Sequence, residues 1–397
     1  MGDRRILYTA AFLRALATGM VGVLFGVYLA KLRFDSTQIG FVVGAGLAGA
    51  AVAALVVTLS ADRLGYRKTL VVLGLLGGLG GAALAFSSQP VAVAAAAFLG
   101  MVNGMGRDRG ASMILEQAVL PLTATPEGRT QAFAYYNILQ DIGHSLGALL
   151  AALPELLSRT GLWPEVVSFR LSLGLYALLL LLSVLPYLGL SPEMETVREN
   201  RMAPLSPASR RILWKISSFF ALDSLGGGFL TAALLSFFFY KRFGVNEGEI
   251  GLLFFGARLA NALSHLGAAW LAKRIGLVNT MVFTHIPSSL LLVTVPFAPN
   301  FLVAALLFLL REGLVEMDVP TRQSYVMAVV RPGERTRASG VTNLVRLGAW
   351  AVAPSLAGLF MQGASLAAPL FVGAGLKVGY DILLYWSFRH LRPSEEI

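Results

Sequence analysis

Apolar runs of about 20 residues or more recur along almost the whole chain, separated by short stretches rich in charge, proline or glycine. In order they predict spans at roughly 5–31, 37–60, 67–87, 90–119, 129–157 and 167–190, then 210–240, 247–273, 276–296, 300–329, 334–362 and 366–391. The stretch 191–209 (SPEMETVRENRMAPLSPAS) is polar and contains prolines, and it is the one long hydrophilic linker. It divides the chain into 1–190 and 210–397. The expectation is an all-α membrane protein of twelve transmembrane helices in two six-helix bundles. The first run, Ile6–Leu32, is too long and too interrupted for a secretory signal and is expected to stay as the first span.

Composition strengthens this. The 397 residues are 56% hydrophobic and 14% charged, and the mean hydropathy of +0.69 excludes a string of soluble domains. With no cysteine, neither a disulfide framework nor a thiolate metal site is possible. The net charge of +10 suggests a nucleic-acid partner until its location is considered. Acids and bases inside the spans balance, so the surplus sits in loops and tails, mostly on the side that holds both termini. That asymmetry places both ends in the cytoplasm, makes lipid the neighbour of the basic loops, and argues against nucleic acid. A multi-pass protein of a prokaryotic inner membrane or plasma membrane is expected.

The two halves resemble one another. Arg4-Arg5-Ile6-Leu7 recurs as Arg210-Arg211-Ile212-Leu213, and at the same offset Gln117, Pro126, Arg129, Thr130, Ala132 and Asn137 match Gln323, Pro332, Arg335, Thr336, Ala338 and Asn343. Ile39-Gly40 and Arg63-x-Gly65 match Ile250-Gly251 and Arg274-x-Gly276. Two parallel six-span halves, a polar central loop, and Asp62-Arg63-Leu64-Gly65-Tyr66-Arg67-Lys68 between spans two and three resemble the major facilitator superfamily. Its loop signature is Gly-x-x-x-Asp-Arg-x-Gly-Arg-Arg/Lys. Here Thr58 replaces the first glycine and Tyr66 precedes the basic pair, while the Asp-Arg-x-Gly core is intact. The family's fifth-span glycine-proline motif is absent, and Asn103 stands where its fourth-span arginine is expected. Close analogy to drug/proton antiporters is therefore weak. The resemblance implies that Asp62 latches onto the opposite half near Arg335 and Arg337, where a helix N-terminus favours a carboxylate. Arg63, Arg67 and Lys68 would meet lipid headgroups or set topology.

Charge inside the spans marks the candidate pathway, because ionisable groups in hydrocarbon need partners or water. Residues 308–325 (FLLREGLVEMDVPTRQSY) hold the densest set. On a helical wheel Glu312 and Glu316 share one stripe, and Arg311, Asp318 and Arg322 another. Two carboxylates one turn apart resist joint ionisation, which makes Glu312/Glu316 the first proton-coupling candidates. The alternative is pairing of each with an arginine of a neighbouring helix, such as Arg109, Arg258 or Arg346. Pro320 would leave an acceptor free beside them. In span four, read as one continuous helix, Arg109 and Glu116 share a face and Arg107 points elsewhere. Glu116 and Arg322 occupy matching positions in the two halves and are expected to form an inner gate. Asp141 and His144 could relay a proton or bind metal, though a hydrogen-bonded helix contact is the commoner role for such a pair. Arg14 and Asp223 read as isolated embedded charges open to substrate contact, gating or, for Asp223, proton coupling. Lys377 and Asp381 read as a structural i,i+4 pair. Asn137 and Asn343, with Tyr135 and Tyr136, are candidate neutral contacts.

Together these predict a secondary active transporter moving a small anionic or zwitterionic organic solute by alternating access. Spans 1, 4, 7 and 10 would line the path, with Arg14, Arg109, Arg258, Arg311 and Arg346 as substrate ligands. Proton coupling is expected, and the intact loop motif favours export. A facilitator, a proton symporter for import, and a non-transporting assembly factor or receptor remain alternatives. No metal, cofactor, nucleotide site or enzymatic centre is expected, and a monomer is.

Overall fold

The computed structural model describes residues 2–125, 128–192, 206–317 and 335–388, and their regular structure is helical. Helices α1 (Asp3–Lys31), α2 (Ser36–Leu64) and α3 (Tyr66–Phe86) match the first three predicted spans. The fourth is not continuous: α4 (Pro90–Leu99) and α5 (Ala111–Val119) are separated by the irregular segment 100–110. Next come α6 (Arg129–Leu150), α7 (Leu153–Arg159), α8 (Glu165–Leu182) and the short α9 (Val184–Tyr187). Beyond the linker, α10 (Pro207–Phe229) and α11 (Ala232–Phe243) divide the seventh span, and α12 (Glu247–Ile275) and α13 (Leu277–Thr294) follow. Helix α14 (Phe301–Val315) begins the tenth, and α15 (Arg335–Gly363) and α16 (Ala368–Phe388) complete the series. Asp318, Pro320 and Arg322 lie outside the described residues, as do the side chains of Asp62, Arg63, Arg335 and Arg337. The expected latch and the arginine side of the expected gate fall there. Among the described residues, eight spans are long and apolar enough to cross a membrane by length and composition.

Local sequence explains the breaks. Thr231 caps α11 by accepting from the Leu234 amide at 3.2 Å, and Asn300 caps α14 through the Val303 amide at 3.0 Å. The matched glycines of the repeat do the same work twice. Gly65 (φ 84°) precedes α3 and Gly276 (φ 85°) precedes α13, in a conformation that side-chain-bearing residues avoid. Both follow helices of 29 residues, α2 and α12, which also begin 211 positions apart.

Outward faces carry large apolar side chains, including Leu59, Leu79, Phe86, Leu302 and Trp386, as expected where lipid is the solvent. Helices of the two sequence halves pack against each other: α2 along α15, α1 on α11, and α6 on α12. At the end of the molecule away from Asp3 this contact is tight. A methyl group on Gly40 would overlap the Pro354 carbonyl oxygen, and one on Gly358 would overlap that of Ser36. Lys31 joins the same closure, pairing with Glu165 and lying 3.8 Å from Glu247 across the seam. The Gly248 amide donates to Glu155 at 3.2 Å.

Candidate functional site

The irregular segment 100–110 shapes the site. Backbone groups at membrane depth must be satisfied by protein or line a wet cavity. Several of the groups freed here have named partners. Asn103 donates to the Arg107 carbonyl at 2.6 Å and accepts from the Met105 amide at 2.9 Å. His144 Nε2 accepts from the Asp108 amide at 2.8 Å. The Gly106 carbonyl accepts from Arg258 at 2.9 Å, and the Gly104 carbonyl from the Ala233 amide at 3.0 Å. Gly106 itself has φ 69° and lies against Gly22. His144 is therefore an acceptor for the break, and no group of three or more potential metal ligands occurs among the described residues.

The break redirects three charges that a continuous helix would have placed otherwise. Arg107 turns into the seam and pairs with Glu316 at 2.8 Å, where the helical wheel had it pointing away. Asp108 turns back to accept from Arg14 Nε at 2.9 Å. Arg109 lies with its guanidinium 4.9 Å from the centre of the Trp350 ring, and Arg346 lies at 4.9 Å from the same ring. Arg346 also donates to Ser224 Oγ at 3.1 Å.

The result is a cavity of about 120 Å³ between the halves, next to a second of about 280 Å³ that shares Arg107, Arg109, Arg346 and Trp350 with it. Among the described residues, the first is walled by Arg107, Arg109, Arg258, Arg311, Arg346 and Lys377 and by the carboxylates of Asp223, Glu312 and Glu316. The second adds Gln117, Gln140, Asp141 and Asn343. Glu312 pairs with its neighbour Arg311 and accepts from Asn261 at 2.8 Å. The glutamates are thus separately neutralised, Glu316 by Arg107 and Glu312 by Arg311. Each carboxylate has its own cation for a neighbour, and not the other glutamate. The wheel put Arg311 on another stripe, but its side chain is long enough to fold back to the next residue.

Other expectations change in the same way. Arg14 is not isolated and is not in the cavity wall. It is buried inside the first half, bound to Asp108 and to both oxygens of Glu116 at 2.9 and 2.5 Å. Tyr136 and Tyr187 each donate to Glu116 at 2.7 Å, so Glu116 belongs to a knot inside the first half; Arg322, its expected gate partner, lies outside the described residues. Asp223 is not isolated either: Lys377 Nζ reaches it at 2.9 Å. Lys377 also approaches His285 Nε2 at 3.3 Å, and His285 Nδ1 sits 2.9 and 3.0 Å from the Asp381 oxygens. Lys377 and Asp381 are thus linked through a histidine and not as a simple helical pair. Asn137 is exposed on α6 and outside both cavity walls, whereas Asn343 lines the second. Sequence reasoning missed Trp350 and His285. The first could have been found from Arg346 one turn before it, and the second had no signal beyond being one of four histidines.

The Major Facilitator Superfamily model matches residues 7–354. The chain belongs to that superfamily. On this membership it is a multi-pass membrane transporter and not an enzyme, of a family whose members bind small-molecule substrates and typically work as monomers. An uncharacterized membrane protein of Saccharomyces cerevisiae is 26% identical over 375 residues, covering 86% of this chain and 84% of the relative. Among solved structures, a point mutant of the nucleoside transporter NupG superposes with a TM-score of 0.77 at 16% identity, over 97% of this chain and 100% of that one. A bacterial homologue of the human lysosomal transporter Spinster, inward-facing and unoccupied, gives 0.71 at 15%, over 97% and 94%. At such identities the likeness is one of fold.

Proposed function

We propose that the protein is a secondary active transporter for a small anionic or zwitterionic organic solute, coupled to protons and working by alternating access. The observation that carries this is the charge of the seam cavity: among the described residues, six arginine or lysine side chains and three carboxylates line it. In a low-dielectric cleft such an imbalance concentrates anions. Arg109 and Arg346 come from opposite halves and converge on Trp350, so a carboxylate or phosphate held between them would respond to any motion of the halves. Glu312 and Glu316, at the edge of the same cavity, could receive an amino group. Twelve spans in two related bundles divided at 191–209, with both termini cytoplasmic, fit this reading and the repeated Gly65/Gly276 turn supports it. The yeast relative makes a prokaryotic inner membrane one setting among others.

The test is uptake by full-length protein in liposomes loaded with a pH dye. Probes are lactate and succinate, with glutamate as zwitterion and glucose as neutral control. Proton movement with at least one charged probe and none with glucose is expected. Arg109→Ala and Arg346→Ala should each reduce that flux by at least about tenfold, the loss of one charge-assisted contact. Equal handling of glucose, or arginine variants that transport normally, would overturn the substrate class. Export corresponds to proton and solute competing for one carrier, import to their binding together.

A further inference from the structure

The second half contains a buried ionic chain that substrate contact alone does not require. Asp223 (α10), Lys377 and Asp381 (α16) and His285 (α13) are each less than one-tenth exposed, and His285 and Asp381 are almost completely enclosed. Only the upper part of the chain, Asp223, Lys377 and His285, reaches the cavity. His285 Nδ1 lies within hydrogen-bond distance of Asp381 and Nε2 within that of Lys377 Nζ, which also donates to Asp223. With Lys377 an ammonium, these contacts fit the neutral tautomer whose Nδ1–H donates to Asp381 and whose Nε2 accepts from Lys377. Among the described residues, the charged groups that share the cavity wall with this chain are Arg107, Arg109, Arg258, Arg311, Glu312, Glu316 and Arg346. Tyr380 lies edge-on to the imidazole, 6.2 Å between ring centres.

We propose that His285 is the proton-binding site and Lys377 the element that couples it to the solute. This deepens the transport reading given above and rests on it. A proton arriving from the cavity adds to Nε2, which then carries N–H and can no longer accept from Lys377. The Lys377 hydrogen bond to His285 breaks, and like charges at that distance repel. Lys377 swings toward Asp223 and the cavity, while the imidazolium stays paired with Asp381 through Nδ1–H. The cluster passes from a net charge of −1 to zero, and the Lys377 ammonium, already at the cavity wall, is released from His285 to face the cavity. Conversely, an anion that draws Lys377 into the cavity frees Nε2 to take a proton. Proton and anion therefore favour each other's binding, by reciprocity of linked equilibria. That sign is co-transport, opposite to the exchange that export would need.

The proton itself is the probe. Purified full-length protein is shifted from pH 8 to pH 5 and the protons taken up are counted with an indicator dye. His285→Gln should lose about one proton per molecule relative to wild type. Nitrogen NMR of histidine-labelled protein should find His285 as the Nδ1–H tautomer at high pH, and Lys377→Gln should leave a larger fraction of it protonated at pH 7. Asp381→Asn, which removes the opposite partner, should act in the reverse direction and guards against a variant that merely misfolds. Equal proton counts in wild type and His285→Gln, or a His285 signal indifferent to Lys377→Gln, overturns the inference even if liposome transport succeeds. Failure of every charged probe in liposomes with the His285 proton present would overturn the transport reading instead.

Discussion

Each sequence half buries a charge from its first helix, and the two solutions differ in kind. In the first half Arg14 is held by Asp108 and by both oxygens of Glu116, with Tyr136 and Tyr187 donating to the same carboxylate. Gln140 in turn donates to the Tyr136 hydroxyl at 3.3 Å. Guanidinium does not lose its proton in proteins, and its planar fork fits a carboxylate in one geometry. The cation of that knot has no second protonation state. The second half uses a lysine, a point charge on a flexible stem, shared between a carboxylate and an imidazole. An imidazole has two protonation states, and the lysine has somewhere else to go. The comparison teaches that a buried ionic cluster can be an anchor or a switch, decided by which cation and which acceptor it contains.

Substitutions can break that contrast. The largest effect is expected from Arg14→Met, which strands Asp108 and Glu116 without their cation. A loss of about 3–5 kcal/mol should appear as a collapse of the melting temperature in detergent. A melting temperature within a few degrees of wild type would end the idea of an anchor. Asp223→Asn should cost less, about 1–3 kcal/mol, because Lys377 keeps a second partner in His285. If the two variants melted alike, the clusters would not differ in rigidity. Tyr187→Phe removes one of several donors to Glu116 and is expected to cost about 1 kcal/mol, read from the same melting curves. Smallest is Lys31→Gln at the closed end, where the Glu165 carboxylate is 55% exposed. Screening by water limits that pair to about 0.5 kcal/mol, and a larger loss would mean the closed end depends on it more than its exposure suggests.

The helical framework was open to reading from the pattern alone. Residues such as those of α1 to α3 and α13 form long apolar runs that can satisfy their backbone in hydrocarbon only as helices. Glycines at 65 and 276 also announced themselves, as both precede helices at matching places in the repeat. The site was legible in part. Arg109, Arg258, Arg311, Arg346, Glu312 and Glu316 do wall the cavity, since charge in a span must face away from lipid. Their partners were not legible. The wheel assumed an unbroken helix through 90–119, whereas Gly100, Gly104, Gly106 and Gly110 mark a segment whose backbone is satisfied by Arg258, His144, Asn103 and Ala233.

By itself the chain determined that it crosses a membrane many times and that charge is gathered inside. Tertiary structure alone decided which charges meet. Arg14 and Glu116 are 102 positions apart, and Lys377 and Asp223 are 154 apart. Hydropathy depends only on the transfer of each residue from water, a local property. Ion pairing depends on where separate helices end, bend and touch, and helical periodicity carries no record of that.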